Sequence, residues 1–266
     1  MSLEASFDKQ AKNFDRRVGI DDQDCEKIAR TLADFYKKTS EVKWLEIGVG
    51  TGQIGACSLN KTDKYVGIDI SEHMLEKFRT RIGENKRVEL YQANGNDQWP
   101  LKSKSVSLSF SSRTIHLLNP AHVLGEIKRV HQKGFFIIGR IRRENSDNVK
   151  DIMKNKMREI LHSLGYKSRK GEENRKQLLD LLCEHGAKKF DPIIATSWTE
   201  EFSPSRSIES WLNKEGLAGQ EINKPIKEEC MKILQHWALE RYGSLNYTEK
   251  VQQTYILEGV DLCLLH

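Results

Sequence analysis

The sequence has little cysteine, and its cysteines do not form any recognisable pattern. The five are scattered along the chain, none forms a Cys-x-x-Cys pair, and no histidines cluster near them: Cys25, Cys57, Cys183, Cys230 and Cys263. Zinc sites and disulfide frameworks need closely spaced or regularly paired cysteines. We therefore expect no metal site and no disulfide framework, and we expect the cysteines to behave as small buried hydrophobic residues.

Long apolar runs are also missing. No stretch approaches the roughly 20 residues of a membrane span, and the mean hydropathy is −0.62. The segment from Met1 to Lys12 carries Glu4, Asp8 and Lys9 and has no apolar centre, unlike a secretory signal. These absences predict a cytoplasmic protein without a membrane segment.

Charge of one sign is not in large excess. The net charge is +5 over 266 residues, and the sequence pI of 8.8 lies just below the value of about 9 that is typical of nucleic-acid-binding domains. Basic residues concentrate between Lys150 and Lys176, but acidic residues such as Asp151 and Glu159 interrupt them. We interpret this stretch as a solvated helix face rather than as an RNA site or a site for an acidic substrate.

The most informative stretch that is present runs from Trp44 to Gly55. It predicts a buried strand (Trp44-Leu45-Glu46-Ile47), a turn that contains Gly48, Gly50 and Gly52, and the start of a helix. Glycine lets the backbone adopt positive φ and lets a ligand lie against bare main chain. The amides at the start of the helix point into the turn, which favours an anionic or polar group there.

A second strand, Lys64 to Asp69, ends in a carboxylate at the spacing that suits a nucleoside ligand. A glycine turn followed about 20 residues later by an acid fits a dinucleotide or another adenosine compound, because the carboxylate can accept hydrogen bonds from the ribose hydroxyls. The alternative is that Asp69 only caps its own following turn. We favour ribose binding because the glycine turn stands at the matching distance.

Strands and helices alternate over about a hundred residues, which predicts a doubly wound, mostly parallel α/β sheet. Further strands are expected at 88–92, 106–110, 134–139, 190–202 and 255–265, which makes seven in all. Helical insertions are expected before and after the sixth strand. The predicted organisation is N-terminal helices over 1–40, a core over 41–142, a helical insertion over 143–187, and the last strands over 188–266 with a second insertion over 203–250.

The residues Gly50-Thr51-Gly52-Gln53-Ile54-Gly55 also satisfy the dinucleotide pattern G-x-G-x-x-G, which would indicate an NAD(P)-dependent oxidoreductase. Glu46 argues against this interpretation, because an acid two residues before the first glycine would repel a pyrophosphate. The same acid is favourable beside a cationic amino group.

At this point the sequence resembles the class I S-adenosylmethionine-dependent methyltransferases, in particular their small-molecule subgroup of methyltransferase type 11. Motif I of that family corresponds to Glu46-x-Gly48-x-Gly50-x-Gly52, and Asp69 corresponds to its ribose-binding acid. The segment Phe110 to Leu117 resembles the turn after strand four, and His131 to Gly134 resembles the turn before strand five. The resemblance covers roughly residues 40–141 and implies a Rossmann-like fold.

The resemblance implies that S-adenosylmethionine is the cofactor, held by one set of residues: Glu46, Gly48, Gly50, Gly52, Asp69, Ile70, Met74, Asn94, Gly95 and Ser111. Two positions depart from the family pattern. Asn94 replaces the usual acid at the adenine edge, and Ser107 replaces the acid that is common in strand four.

The implied reaction is methyl transfer to a small-molecule acceptor, with His116 as the candidate base or a packing residue. Arg113 and Trp198 are candidate substrate contacts, unless they are a solvated arginine and a core tryptophan; Trp211 and Trp237 are expected in the insertion core. A helix around Phe14 to Arg17 resembles the one that closes over the cofactor.

No nucleic-acid partner is expected, because no Asn/Asp-Pro-Pro-aromatic motif or Pro-Cys follows strand four. Besides the NAD(P)-dependent oxidoreductase, the pattern still leaves two further functions open. One is a cofactor-binding protein with little catalysis, which the serine at position 107 and the lack of a certain base would suit. The other is an RNA methyltransferase.

Overall fold

The computed structural model describes residues 19–36, 43–62, 64–145, 147–166, 171–214, 216–218 and 220–265. The helix expected around Phe14 to Arg17 lies outside these residues. The chain divides into two compact units. The first comprises Met1–Arg140, Gly171–Thr196 and Tyr255–His266, and the second comprises Ile141–Lys170 and Ser197–Thr254.

In the described part of the chain, an eight-stranded sheet has the order β3-β2-β1-β4-β5-β10-β6, and β7 pairs with β10. The pairs β1–β2, β2–β3, β1–β4 and β4–β5 are parallel, whereas β10–β6 is antiparallel. This is a mostly parallel, Rossmann-like sheet, as the sequence predicts. The strands are β1 Lys43–Ile47, β2 Lys64–Asp69, β3 Val88–Gln92, β4 Val106–Ser112, β5 His131–Arg143, β6 Lys188–Lys189, β7 Ile193–Phe202 and β10 Glu249–Asp261, and a separate pair consists of β8 Gly216–Leu217 and β9 Gln220–Glu221.

Helices separate the strands. They are α1 Asp22–Tyr36, α2 Gln53–Ser58, α3 Glu72–Ile82, α4 Pro120–Val130, α5 Val149–Ser163, α6 Gly171–Glu184, α7 Pro204–Leu212 and α8 Lys224–Tyr242, with single 3-10 turns at Leu59–Lys61 and Ile115–Leu117. Local sequence fixes several of their starts. Ser71 caps α3 by accepting from the Met74 amide, and Asn119 caps α4, where Pro120 occupies the first turn.

One hydrophobic cluster of the first unit includes a face of the parallel strands. Leu45, Ile47, Val66 and Ile68 are buried beside the helices that the chain places between strands. The register pairs Ile47 with Ile68 across β1 and β2. Both strands therefore end at the same level, which brings the glycine turn after β1 next to Asp69 at the end of β2.

The second unit has its own hydrophobic core, formed by α5, α7, α8 and neighbouring strand residues. Met153, Met157, Leu234 and Cys230 are among its buried members. Trp211 and Trp237 pack against this core, which confirms the expectation that they are insertion core. None of the described helices is long and apolar enough to cross a membrane.

Two strands begin several residues earlier than the sequence predicts. Strand β5 begins at His131 rather than at 134, and β10 begins at Glu249 rather than at 255. In both cases polar residues start the strand: Gln132 and Lys133 in β5, and Gln252 and Gln253 in β10. Because the prediction relied on apolar runs, it recognised each strand only where the hydrophobic residues begin.

Candidate cofactor site

The glycine turn closes the end of β1 by hydrogen bonds to β2. The amides of Gly48 and Val49 both donate to the Ile68 carbonyl, at 2.8 and 3.2 Å. Gly48 and Gly52 have φ of 73° and 74°, in the region that L-residues with a Cβ rarely adopt. The turn is therefore fixed against the neighbouring strand and leads into the short helix α2.

Both of these glycines also lack space for a side chain. A Cβ on Gly48 would stand 2.1 Å from Oγ1 of Thr114, and a Cβ on Gly52 would stand 2.1 Å from the Phe78 ring. Thr114 follows β4 and Phe78 lies in α3, so the turn is enclosed by side chains from two other segments. The sequence pattern did not mark Thr114 or Phe78 as part of the site.

Asp69 faces the glycine turn. Its Oδ2 accepts from the Gly50 amide at 2.8 Å, and its Oδ1 accepts from the Ser71 amide at 3.0 Å. The carboxylate thus caps its own following turn and also stands beside the bend. Asp69 and the adjacent Ile70 are partly exposed, so a ligand lying on the turn could reach them.

Glu46 lies beneath the turn rather than on its surface. It is 2% exposed, and its Oε2 accepts a hydrogen bond of 2.5 Å from the Tyr65 hydroxyl. Burial, partly offset by the Tyr65 hydrogen bond and reinforced by the nearby charge of Asp69, raises the pKa of Glu46 to about 8. Burial and the Glu46 charge likewise raise the pKa of Tyr65. The two side chains form a buried acid–phenol pair.

The end of β4 is joined to the same turn. Ser111 is fully buried, and its hydroxyl donates to the Ile47 carbonyl at 2.8 Å. Thr114 donates to the Gly48 carbonyl at 3.4 Å. The next residue along β4, Ser112, shares a hydrogen bond of 2.7 Å with the hydroxyl of the buried Tyr255, whose pKa is raised by burial.

The loop after β3 meets the loop after β4. Asn94 Oδ1 accepts from the Asn96 amide at 3.0 Å, and Asn96 Oδ1 accepts from the Asn119 amide at 2.7 Å. A Cβ on Gly95 would stand 2.9 Å from Leu118. The carboxyl ends of β1, β2, β3 and β4 are therefore linked through their loops on one edge of the parallel sheet. This is the edge at which ligands bind in such folds.

The remaining predicted residues occupy different environments. Met74 is buried in α3, whereas His116 is exposed on the 3-10 turn after β4, where its carbonyl accepts from Asn174 at 3.4 Å. Arg113 follows β4 directly and has φ of 56°. Trp198 belongs to the second unit and is half-buried. Their roles stay predictions. Among the described residues, no group of three acidic, histidine or cysteine side chains could hold a metal ion.

Comparison with known proteins identifies the region that contains this site. Residues 45–138 match the family model of a methyltransferase domain, and none of the curated proteins matches the sequence. Among solved structures, the chain is similar to a candidate methyltransferase from Bacillus halodurans, with 16% identity, TM-score 0.54 and coverage of 87% of this chain and 98% of the other. It is also similar to a candidate type II methyltransferase from Anaeromyxobacter dehalogenans, with 13% identity, TM-score 0.56 and coverage of 90% and 96%. At these sequence identities, the similarity shows a shared fold alone.

Proposed function

We propose that this chain, whose residues 45–138 form a methyltransferase domain, transfers the methyl group of S-adenosylmethionine to a small-molecule acceptor. The observation that carries the proposal is the contact between Asp69 and the Gly50 amide, at 2.8 Å. It brings a partly exposed carboxylate onto a glycine turn at the ligand-binding edge of a parallel sheet. That pairing of carboxylate and bare backbone suits a ribose and the chain attached to it.

The residues present fit this cofactor. The Asp69 carboxylate can accept from the ribose hydroxyls. The buried Glu46 carboxyl group can supply negative charge beneath the turn when a bound cationic amino group favours its ionised form. Asn94 and Gly95 stand on the loop expected to meet the adenine edge. When bound, the cofactor supplies an activated methyl group on a sulfonium sulfur. The assignment of each contact rests on the resemblance together with these positions.

The protein has to align a nucleophile with the methyl group at about 3 Å and exclude water. His116 and Arg113 follow β4 and are the candidates for a base and for an acceptor contact. A base is needed only where the nucleophile carries a proton. Gln53 Nε2 donates to the Ile20 carbonyl at 3.4 Å, so the segment before α1 lies against the helix that follows the glycine turn. This contact supports the proposal that the N-terminal residues 1–40 cover the cofactor.

A small-molecule acceptor is favoured over nucleic acid by the segment that spans the end of β4 and the turn after it. Residues Ser111-Ser112-Arg113-Thr114 contain neither the Asn/Asp-Pro-Pro-aromatic motif of base-amine methyltransferases nor a Pro-Cys pair. We also propose that the protein is cytoplasmic.

Isothermal titration with S-adenosylhomocysteine tests the proposal. We expect saturable binding, and Asp69→Asn should weaken it by at least about tenfold, because a hydrogen bond to a charged group contributes roughly 1.5–3 kcal/mol. Asp191→Asn removes the same charge at an exposed position and should leave the affinity unchanged.

Failure of the wild-type protein to bind at sub-millimolar ligand would refute the cofactor assignment. Equal affinity of the Asp69→Asn and wild-type proteins would remove Asp69 from the site. Saturable NADH binding in a parallel fluorescence titration would instead revive the oxidoreductase interpretation.

A further inference from the structure

Three cationic side chains surround one aromatic ring in the second unit. The Nζ atom of Lys150 lies 3.9 Å from the centroid of the Phe202 ring, and Cζ atoms of Arg206 and Arg143 lie 5.9 and 6.0 Å from it. The three cations come from α5, α7 and the end of β5. The charge pattern of the sequence predicted that Lys150 lies on a solvated helix face. That interpretation is wrong for this residue, which is half-buried over an aromatic ring.

Two of the three cations have carboxylate partners. Arg143 pairs with Asp151 at 3.1 Å, and Arg206 pairs with Glu200 at 2.9 Å. Lys150 has neither an ion pair nor a hydrogen bond within the part of the chain that the structure describes. In the same residues, the buried Nε of Arg143 also lacks a hydrogen-bond acceptor. Within the described residues, the Nζ of Lys150 and the Nε of Arg143 are therefore two donors without an oxygen acceptor.

The environment disfavours the charged form of Lys150. Burial, and then the charges of Arg143, Arg206 and Lys214, lower the pKa of Lys150 to about 8, against the opposite effect of Glu200. The ring face of Phe202 stabilises the ammonium, but an aromatic face usually contributes less than a carboxylate at a desolvated position. The excess of positive charge would be relieved by an added anion.

We propose that the second unit binds an oxyanion, the carboxylate or phosphate group of a small molecule, between Lys150 and Arg143. The ammonium provides a compact charge, and the guanidinium provides the planar N–H donor that suits such oxygens. Because Lys150 and Arg143 are both half-buried, the site suits a single small group rather than a polyanion such as RNA. The proposal does not depend on the methyltransferase assignment.

Thermal unfolding of the full-length protein in sodium phosphate, sodium acetate and sodium chloride at matched ionic strength tests this site. A ligand that binds only the folded state raises the melting temperature. We expect phosphate or acetate, or both, to raise it above the chloride value in a saturable manner. The two salts distinguish preference for a phosphate from preference for a carboxylate.

Lys150→Met should weaken the apparent affinity for the stabilising anion by at least tenfold, and in chloride alone the variant should be no less stable than wild type, since methionine can pack on Phe202 without a buried charge. Lys232→Met makes the same charge change at an exposed position of α8 and should keep the wild-type response. Both variants should bind S-adenosylhomocysteine as wild type does, which separates this site from the cofactor site.

Absence of any stabilisation by phosphate or acetate beyond that of chloride in the wild-type protein would overturn the proposal, independently of any variant. An undiminished response of Lys150→Met would overturn it as well.

Discussion

Gly52→Ala is expected to lower the free energy of unfolding by about 2–5 kcal/mol. Gly52 has φ 74° and ψ 26°, a left-handed conformation that costs a residue with a Cβ about 1–2 kcal/mol. The new methyl group would also stand 2.1 Å from the ring of Phe78, which is fully buried. Since a buried ring can move only by displacing its neighbours, overpacking should add about 1–3 kcal/mol. Chemical denaturation monitored by circular dichroism measures the loss.

Gly243→Ala separates the two contributions. Gly243 is also left-handed, with φ 71° and ψ −19°, but no described atom outside the adjoining backbone and its two chain neighbours lies within 4 Å of the position of its Cβ. This control should lose only the backbone contribution of about 1–2 kcal/mol. If Gly52→Ala and Gly243→Ala lost the same free energy of unfolding, the lack of space beside Phe78 would not contribute to the loss in Gly52→Ala.

The sequence predicted this turn because the information is local. Three glycines within five residues and an acid at the end of the next strand predict a ligand-binding bend without knowledge of any distant contact. The regular alternation of strands and helices likewise predicted the parallel sheet. Since parallel strands of matched register end at one edge, the proximity of Asp69 to the turn followed from the pattern alone.

The side chains that hydrogen-bond to the turn and to the adjoining strands were not predictable in the same way. Tyr65 lies on β2, Thr114 after β4 and Tyr255 on β10, and each appears in the sequence as an ordinary strand or loop residue. Their hydrogen bonds to Glu46, Gly48 and Ser112 depend on which strands become neighbours and on which face each side chain takes. Single-sequence patterns specify neither of these.

The second unit shows a related limit. Its basic residues appeared as an ordinary charged helix because acids are interspersed among them. Arg143 and Arg206, which lie outside the helix that carries Lys150, join it only through folding around Phe202. Charge patterning along a chain therefore does not distinguish a solvated lysine from one that is held among other cations.

Glu46→Gln is expected to flatten the pH dependence of stability. Burial raises the pKa of Glu46 from 4.5 to about 8 in the folded state, so the folded protein binds the proton more tightly than the unfolded chain. The associated stability is fully present below pH 4.5, decreases as the pH rises and is lost above pH 8. A pKa raised by this amount contributes about 4–5 kcal/mol to the free energy of unfolding at low pH.

The variant should therefore be more stable than wild type at pH 9 and similar to it below pH 5, as urea unfolding across this pH range would show. Glutamine keeps an oxygen that can accept from the Tyr65 hydroxyl, so the hydrogen bond is retained. Glu84→Gln removes a charge at an exposed position and should leave the pH profile unchanged. If the free energy of unfolding of the wild-type protein and of Glu84→Gln did not change between pH 5 and 9, the raised pKa of a buried Glu46 would be contradicted.

The same carboxyl group should couple cofactor binding to proton release. If the cationic amino group of the cofactor lies above Glu46, its charge favours the ionised carboxylate and lowers the pKa of Glu46. Binding of S-adenosylhomocysteine near pH 7 should then release about one proton, because Glu46 is mostly protonated in the free protein when its pKa is about 8. Calorimetric titrations in buffers with different ionisation enthalpies measure this number.

In Glu46→Gln the dependence on buffer should disappear and the affinity should fall, because the carboxyl group that loses the proton is no longer present. Glu84→Gln should release the same number of protons as wild type, since the Glu84 side chain is exposed to solvent. Proton release that persists in Glu46→Gln would assign the titrating group elsewhere and leave Glu46 with only the structural role that its hydrogen bond to Tyr65 provides.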